Sequence, residues 1–351
     1  MAHKPSPAPR VSGAARGRAS RAAPTLEPVA GCPAGRRQRG AGRWTASSTV
    51  AWSKTGMLPL CSRPQAWGRA ARQSPGLPRA PSLLLTQRRA FSNNKILVEL
   101  DEGSGIATMK LKSPPVNSLS LDFLTEFCIS LEKLENNRGC RGVIFTSAIP
   151  KIFSSGLDIT EMCRKSTEHY AEFWRAVQEM WLRVYGSNMV TVAAINGSSP
   201  AGGCLLALSC DYRIMAENPK FSIGLNEAQL GIVAPFWFKD TFVNVVGHRV
   251  AERSLQLGCL HSAPEALRIG LVDELVPEEK LQDKAAAVIA QWLALPDHAR
   301  QLTKSMMRKS VLDRLVAHRE EDIQNFISFI TKESIQKSLH MYMEMLKKKR
   351  G

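Results

Sequence analysis

Acidic residues are almost missing from the first quarter of this 351-residue chain, where residues 1–90 contain only Glu27. The same stretch holds 16 Lys and Arg, a net charge of +15. The remaining sequence carries 31 basic and 30 acidic residues, a net charge of +1. The basic balance therefore belongs to the N-terminal segment. The near-neutral remainder lacks the basic excess that a nucleic-acid-binding domain carries on one face. Long apolar runs are missing too: none reaches the ~18 residues of a membrane-spanning helix. The eight cysteines form no CxxC pair, and no histidine cluster has metal-ligand spacing, which argues against a zinc site or a disulfide framework. Cys204 and Cys210 sit in an apolar run, where free thiols serve as small core residues. Neither a Gly-Lys-Ser/Thr loop nor a GxGxxG pattern follows a strand, so the common nucleotide-binding turns are excluded.

The N-terminal segment is instead rich in Arg, Ala, Pro, Gly and Ser. Such a composition buries too little apolar surface to offset chain entropy, so residues 1–91 are expected to be disordered. From Met57 onward the stretch is Arg-rich, contains Ser and is free of acids until Glu99. That pattern resembles a mitochondrial transit peptide, and Arg89-Ala90-Phe91-Ser92 resembles a matrix-processing site cut after Phe91. Met57 is an alternative start, with 1–56 as an upstream extension. The terminal Lys347-Lys348-Lys349-Arg350-Gly351 is not a peroxisomal Ser-Lys-Leu signal.

Residues 92–351 read as one domain, with a core to about residue 290 and C-terminal helices beyond. Lys95–Leu100 and Ile106–Leu111 are predicted strands around an Asp101–Gly105 turn, followed by a helix over Ser120–Leu134. Strands over Arg141–Thr146, Met189–Ile195 and Tyr212–Ala216 alternate with helices over His169–Tyr185 and Gly203–Ser209. That order, β-β-α-β-α-β-α-β, predicts a layered α/β fold. Pro277–Leu295, Ala299–Ser310 and Glu320–Lys347 read as helices. The stripe Ile323, Phe326, Ile327 and Ile330 in the last could face the parent domain or a neighbouring subunit.

Three segments carry candidate chemistry. Phe153-Ser154-Ser155-Gly156-Leu157-Asp158-Ile159-Thr160-Glu161-Met162 follows a strand, and Asp158-x-x-Glu161 has the form of a capping box, so main-chain N–H groups are left free near a helix start. Ser199-Pro200-Ala201-Gly202-Gly203-Cys204-Leu205 places two glycines between a strand and an apolar helix, where the backbone can approach a ligand closely. Ile223-Gly224-Leu225-Asn226-Glu227-Ala228-Gln229-Leu230-Gly231-Ile232 sets an acid among apolar neighbours, where desolvation would raise its pKa toward a range useful for proton transfer. Taken singly, each also fits a plain structural role: a capped turn, close packing, a loop acid.

As a set, in this order and spacing, they resemble the crotonase, or enoyl-CoA hydratase/isomerase, superfamily. Pro115-Val116-Asn117-Ser118-Leu119, Cys210-Asp211-Tyr212-Arg213 and Ala266-Leu267-x-Ile269-Gly270-Leu271-Val272-Asp273 add to the resemblance, which runs from about Ile96 to the C-terminal helices. It implies a spiral of repeated ββα units with a C-terminal helical region. It also implies an oxyanion hole made by the N–H groups of Ser155 and Gly202, and Glu227 as the sole acid–base. Ser155, Gly156, Leu157, Asp158, Ile159, Gly202 and Asn226 would contact an acyl-CoA thioester. No separate cofactor is expected, since CoA is part of the substrate.

Hydratases of the superfamily use a second glutamate three residues after the oxyanion-hole glycine, and here that position holds Leu205. The resemblance therefore implies a shift of the double bond from the 3- to the 2-trans position, as β-oxidation of unsaturated fatty acids requires. Hydratase-like activity and a non-catalytic binding role are the alternatives. A homo-oligomer, most simply a trimer, in the mitochondrial matrix is implied as well. Chain-length preference is expected to depend on pocket depth around Trp237 and the Phe326 helix. N-terminal sequencing of the mature protein is expected to give a start at or near Ser92, and a start far from there would rule out the proposed cleavage site.

Overall fold

The computed structural model describes residues 88–350. The expected leader disorder lies outside those residues except for Arg88–Phe91, which are in a strand. In chain order the strands are β1 (Arg88–Ser92), β2 (Ile96–Asp101), β3 (Ile106–Leu111), β4 (Gly142–Ser147), β5 (Lys151–Ile152), β6 (Val190–Ile195), β7 (Gly197–Pro200), β8 (Tyr212–Ala216), β9 (Ser222–Gly224), β10 (His261–Ser262) and β11 (Glu274–Val276). The helices are α1 (Leu121–Glu135), α2 (Ile159–Met162), α3 (Thr167–Tyr185), α4 (Gly202–Ser209), α5 (Phe236–Val246), α6 (His248–Leu257), α7 (Ala263–Arg268), α8 (Leu281–Leu293), α9 (Asp297–Ala317), α10 (Arg319–Ile330) and α11 (Glu333–Arg350). None of these helices is long and apolar enough to cross a membrane.

A seven-stranded sheet has the order β1-β2-β3-β4-β6-β8-β11, and a four-stranded sheet the order β10-β9-β7-β5. Each passage of the chain adds one strand to each sheet. β4, β6 and β8 pair in parallel in the large sheet, and the strands that follow them, β5, β7 and β9, pair in parallel in the small one. This is the repeated-unit spiral. Burial follows from it. β2 and β3 alternate buried and half-buried residues, whereas β4 and β6 are buried throughout. One face of the inner strands meets the main core, with Phe145, Ala193 and Met215. Their other face, with Ile144, Val192 and Ile214, is covered by Leu281, Ala285, Val288 and Ile289 of α8. Strands covered on both sides read as continuous apolar runs.

Several elements differ from the sequence-based expectation. The helix expected over Pro277–Leu295 opens with a 3₁₀ turn at Glu278–Lys280, and α9 extends to Ala317. The single helix expected over Glu320–Lys347 is two, broken after Ile330. There the Thr331 hydroxyl donates to the Ile327 carbonyl at 2.8 Å, and Lys332 N–H donates to Phe329 O at 3.2 Å. α11 packs on its parent domain: Leu339 is fully buried, and the Gln336 amide donates to the carbonyls of Met162 and Ile330.

α10 is fastened by a buried carboxylate. Asp322 Oδ2 accepts from the Trp174 indole at 2.7 Å, the Gln178 amide at 2.8 Å and the Trp237 indole at 3.1 Å. One acid thus satisfies donors from α3 and α5. On the same helix, Phe326 stacks on Trp174 with ring centroids 4.0 Å apart. Replacing Asp322 by Ala leaves the Trp174 and Trp237 indoles unpaired and leaves the Gln178 amide only the Arg319 carbonyl, and each buried donor left unpaired costs about 1–3 kcal/mol. We expect a clear fall in the urea midpoint for Asp322→Ala; a midpoint unchanged from wild type would show that the carboxylate does not hold α10.

Candidate active site

The loop from Phe153 to Asp158 is fixed by Asn117. This buried residue has a left-handed φ of 49°, and its side-chain amide donates to Ser147 Oγ at 2.8 Å and to the Phe153 carbonyl at 2.9 Å. Its own carbonyl accepts from Ser154 Oγ at 2.7 Å. The strand-like run then alternates its bonds with residues 116–119. Ser155 N–H donates to Val116 O at 2.9 Å, Leu119 N–H to Gly156 O at 2.9 Å, and Asp158 N–H to Leu119 O at 3.2 Å.

This corrects one sequence-based expectation. The Ser155 N–H is committed to Val116 and is not free to act as an oxyanion donor. From Ser155 to Asp158, only the Leu157 N–H has no partner among the described residues. The capping box is also half-formed. Asp158 caps α2 by accepting from Thr160 N–H at 2.9 Å, but the Glu161 carboxylate instead accepts from Leu121 N–H at 3.0 Å and meets His169 Nε2 at 2.6 Å.

The second segment supplies a matching donor. Gly202 opens α4, and its N–H has no partner among the described residues, as expected at the first turn of a helix. Ala201 before it has φ 50° and ψ −122°, an uncommon conformation for a residue with a Cβ. The turn is held by its own N–H, which donates to Gly224 O at 2.8 Å. Glycine is required at two places. A Cβ on Gly202 would lie 3.1 Å from the Leu157 nitrogen, and one on Gly156, already at φ 89°, would lie 2.9 Å from the Gly202 nitrogen. The two free N–H groups therefore abut, with nothing but glycine able to fit between the segments.

The third segment brings the acid. β9 pairs with β7 through Ser199↔Ile223 and Pro200↔Gly224, so the chain leaves β9 beside the Ala201–Gly202 turn. Glu227 then begins a 3₁₀ turn, Glu227–Leu230, closed by left-handed Gly231. The turn is tied down by the Gln229 amide, which donates to Gly258 O at 2.8 Å. Glu227 is half-buried as a residue, yet its Oε2 is sealed from solvent without a hydrogen-bond partner, and so is Asn226 Oδ1. Burial pushes the Glu227 carboxyl up to about 7, opposed only by a hydrogen bond from its own main-chain N–H. An unpaired carboxyl oxygen facing a cavity is costly for stability, and such groups concentrate at functional sites.

The cavity at Glu227 has a volume of about 90 Å³, and Ser155, Leu157, Ile159, Ala201 and Asn226 line it beside the acid. Trp174, Ile232, Phe238, Phe326 and Tyr342 are among its apolar walls. Of the expected contacts, Ser155, Leu157, Ile159, Asn226 and Glu227 line this space. Gly156, Asp158 and Gly202, also expected as contacts, are not among its lining residues. Glu227 is the only carboxylate among the lining residues. Leu205 is fully buried in the core, one turn into α4. Trp237, expected near the acyl group, is fully buried and turned to Asp322; Trp174 and Phe238 line the cavity in its place. Tyr342 was not legible, because nothing in its local sequence tells where α11 docks.

A sequence profile described as enoyl-CoA hydratase/isomerase matches residues 101–350. The chain belongs to the enoyl-CoA hydratase/isomerase family. Within that family it is 65% identical over 263 residues to mitochondrial enoyl-CoA delta isomerase 1 of Mus musculus, covering 75% of this chain and 91% of the relative. Against the Homo sapiens protein of the same name the identity is 64%, covering 75% and 87%. The crystal structure of human mitochondrial delta3-delta2-enoyl-CoA isomerase superposes with a TM-score of 0.72 at 64% identity, covering 73% of this chain and all of that one. The fold of the family member described here is thus the crotonase spiral with its C-terminal helices.

The raised pKa of Glu227 has a consequence for stability. In the folded protein Glu227 stays neutral until about pH 7, whereas in the unfolded chain it ionises near its ordinary value of 4.5. Ionisation therefore favours the unfolded state as pH rises from about 4.5 to about 7. Glu227→Gln, which never ionises, is expected to gain stability relative to wild type across that window and to hold the gain above it. A stability difference that stays flat from pH 4.5 to 8 in urea titrations would show that the carboxyl is not desolvated.

Proposed function

We propose that this chain is a mitochondrial enoyl-CoA delta isomerase in which Glu227 alone moves the proton. The observation that carries this reading is a single, unpaired, desolvated carboxylate beside two free main-chain N–H groups. The isomerase role in fatty acid oxidation and the mitochondrial location are supported by the 64–65% identity to relatives that carry that name.

The thioester carbonyl would sit between the N–H groups of Leu157 and Gly202. Removing an α-proton from a 3-enoyl thioester moves charge onto that oxygen. Donors already fixed by the fold stabilise it without reorganising, and one such donor is typically worth about 2.7–4 kcal/mol. Glu227 takes the α-proton at C2 and returns it to the γ-carbon, C4, and the double bond moves from 3 to the conjugated 2-trans position. The carboxylate is regenerated at each turnover. Asn226, with its own unpaired oxygen, would contact the substrate, and the Ser155–Ile159 segment would line the pantetheine arm. CoA enters and leaves as part of the substrate, and no separate cofactor is invoked.

The cavity also favours isomerisation over hydration. Adding water across the double bond needs a second group to hold and activate that water, and Leu205 offers none. A dry cavity keeps the dienolate from being quenched by solvent. The protein is further proposed to form a homo-oligomer, a trimer in the simplest case, because α9 exposes Leu302, Met306 and Met307, a patch that water would otherwise cover.

Purified protein given a 3-enoyl-CoA is expected to produce the absorbance of a conjugated thioester, and Glu227→Gln to lower kcat by about 10²–10⁴-fold, the usual contribution of a positioned acid–base group. Full activity in that variant would defeat the mechanism. Hydration of a 2-enoyl-CoA at a comparable rate would favour the hydratase reading instead, and no turnover of either substrate would favour a binding role.

A further inference from the structure

The helix that opens with the Gly202 donor brings no charge of its own to either end. All eight residues of α4 are buried, neither its first nor its last turn holds a charged side chain, and no side chain caps its start. Aligned peptide units still give such a helix a partial positive charge at its first turn and a partial negative one at its last. The two ends of α4 meet different surroundings. At the first turn the Gly202 N–H has no partner among the described residues.

The carbonyl end is met by cations from elsewhere in the chain. Arg308 of α9 donates through Nη1 to Ser209 O at 3.1 Å and through Nη2 to Cys210 O at 3.3 Å. The same guanidinium donates to Tyr185 O, at the end of α3, at 2.8 Å and lies 4.4 Å from the centroid of the Tyr185 ring. Arg213 of β8 adds a bond to Cys210 O at 3.1 Å. Asp211 pairs with Lys304 and with Arg308, each at 2.9 Å, and Asp273 pairs with Arg213 at 2.7 Å. Three cations thus face two carboxylates, and one positive charge is left over behind the carbonyl end of α4.

Eight residues at about 1.5 Å each put the two ends of α4 roughly 12 Å apart. At that separation, and at an effective dielectric constant of about 20, one unit charge shifts the equilibrium of another by about tenfold, and less where water screens it. We propose that Arg308 is a positioning residue for the isomerisation: it anchors the buried end of α4 and offsets the negative pole there, so that the positive pole at Gly202 acts unopposed on the oxygen that becomes negative. This rests on the isomerase reading and deepens it, adding to the two donors a remote cation that touches neither substrate nor acid. Its effect grows with the charge on the thioester oxygen, so it belongs to the transition state and shows in kcat more than in KM.

Two variants separate charge from geometry. Arg308→Gln keeps a donor and loses the charge, whereas Arg308→Lys keeps the charge and loses the planar fork. With the full-length protein and a 3-enoyl-CoA near neutral pH, Arg308→Gln is expected to lower kcat about three- to tenfold, with KM within about twofold of wild type. Arg308→Lys is expected to recover most of that loss. A bound conjugated thioester, para-dimethylaminocinnamoyl-CoA, reads the same field without turnover, because its absorbance moves to the red as its carbonyl is polarised. The red shift is expected to shrink in Arg308→Gln and to return in Arg308→Lys. Should Arg308→Gln not fold, Lys304→Gln takes its place, with a smaller effect of the same sign. Lys304 bonds Met189 O and Asp211 but no carbonyl of α4, and burial lowers it only to about 8, so it is still charged near neutrality. Unchanged kcat and red shift in the glutamine variant, or equal losses in Arg308→Gln and Arg308→Lys, overturn the role of the charge. Absence of a red shift in wild type overturns the pair of donors on which the isomerase reading stands, so the two failures are distinct.

Discussion

The hydrogen bond from Ala201 N–H to Gly224 O, at 2.8 Å, is the constraint on which the site depends. It extends the β7–β9 pairing by one step beyond the strands, into the turn that offers the Gly202 N–H. Because the same strand β9 runs on into Glu227, a single ladder of main-chain bonds sets both the donor and the acid. The other donor is set in the same way, by the alternating bonds between 116–119 and 155–158. Placement by backbone pairing leaves few soft torsions between the groups that must act together. It also leaves the side chain at Leu157, whose N–H is the donor, with no duty except fit.

The spiral supplies the polar groups and much of the apolar wall, and the helices after it add to the cover. Phe326 of α10 and Tyr342 of α11 close the cavity over the carboxyl, and Asp322 fastens α10 by gathering two indoles and an amide. A buried carboxylate that satisfies three donors costs little, since each donor offsets part of the lost hydration. The Glu227 carboxyl is the opposite case. With its Oε2 unpaired, the whole loss falls on its charged form, and that raises its pKa. Two buried acids of similar setting thus serve different ends, according to how many donors each receives.

Much of the fold was legible because long elements carry a period. The alternation of β2 and β3 and the helical stripes of α1 and α3 placed those elements within a residue or two of where they lie. The short strands β5, β7, β9 and β10 were not legible, since two to four residues hold no period, and β7 contains Gly197 and Pro200. The break at Thr331 escaped notice for a related reason: no Gly or Pro marks it, and a hydroxyl bond to Ile327 does the work. Within the site, the three chemistry-bearing segments stood out in the sequence. Which of their N–H groups is free did not. Ser155 and Leu157 are equally plausible donors until Val116 is known to claim the first, and that choice is made by a neighbour distant in sequence. Trp237 was misplaced for the same cause, because the partner that turns it away, Asp322, lies on a helix far downstream.

The distance along the chain between Glu227 and its cover also bears on how the site comes into being. The acid and both donors belong to segments that pair with one another early in the sequence, while Phe326 and Tyr342 arrive only with the later helices. Without α10 and α11 the cavity would lack Phe326 and Tyr342, two of the side chains that line it beside the carboxyl. Burial of that carboxyl is what raises its pKa, so the later helices contribute to the reactivity of a group whose position is set earlier in the chain.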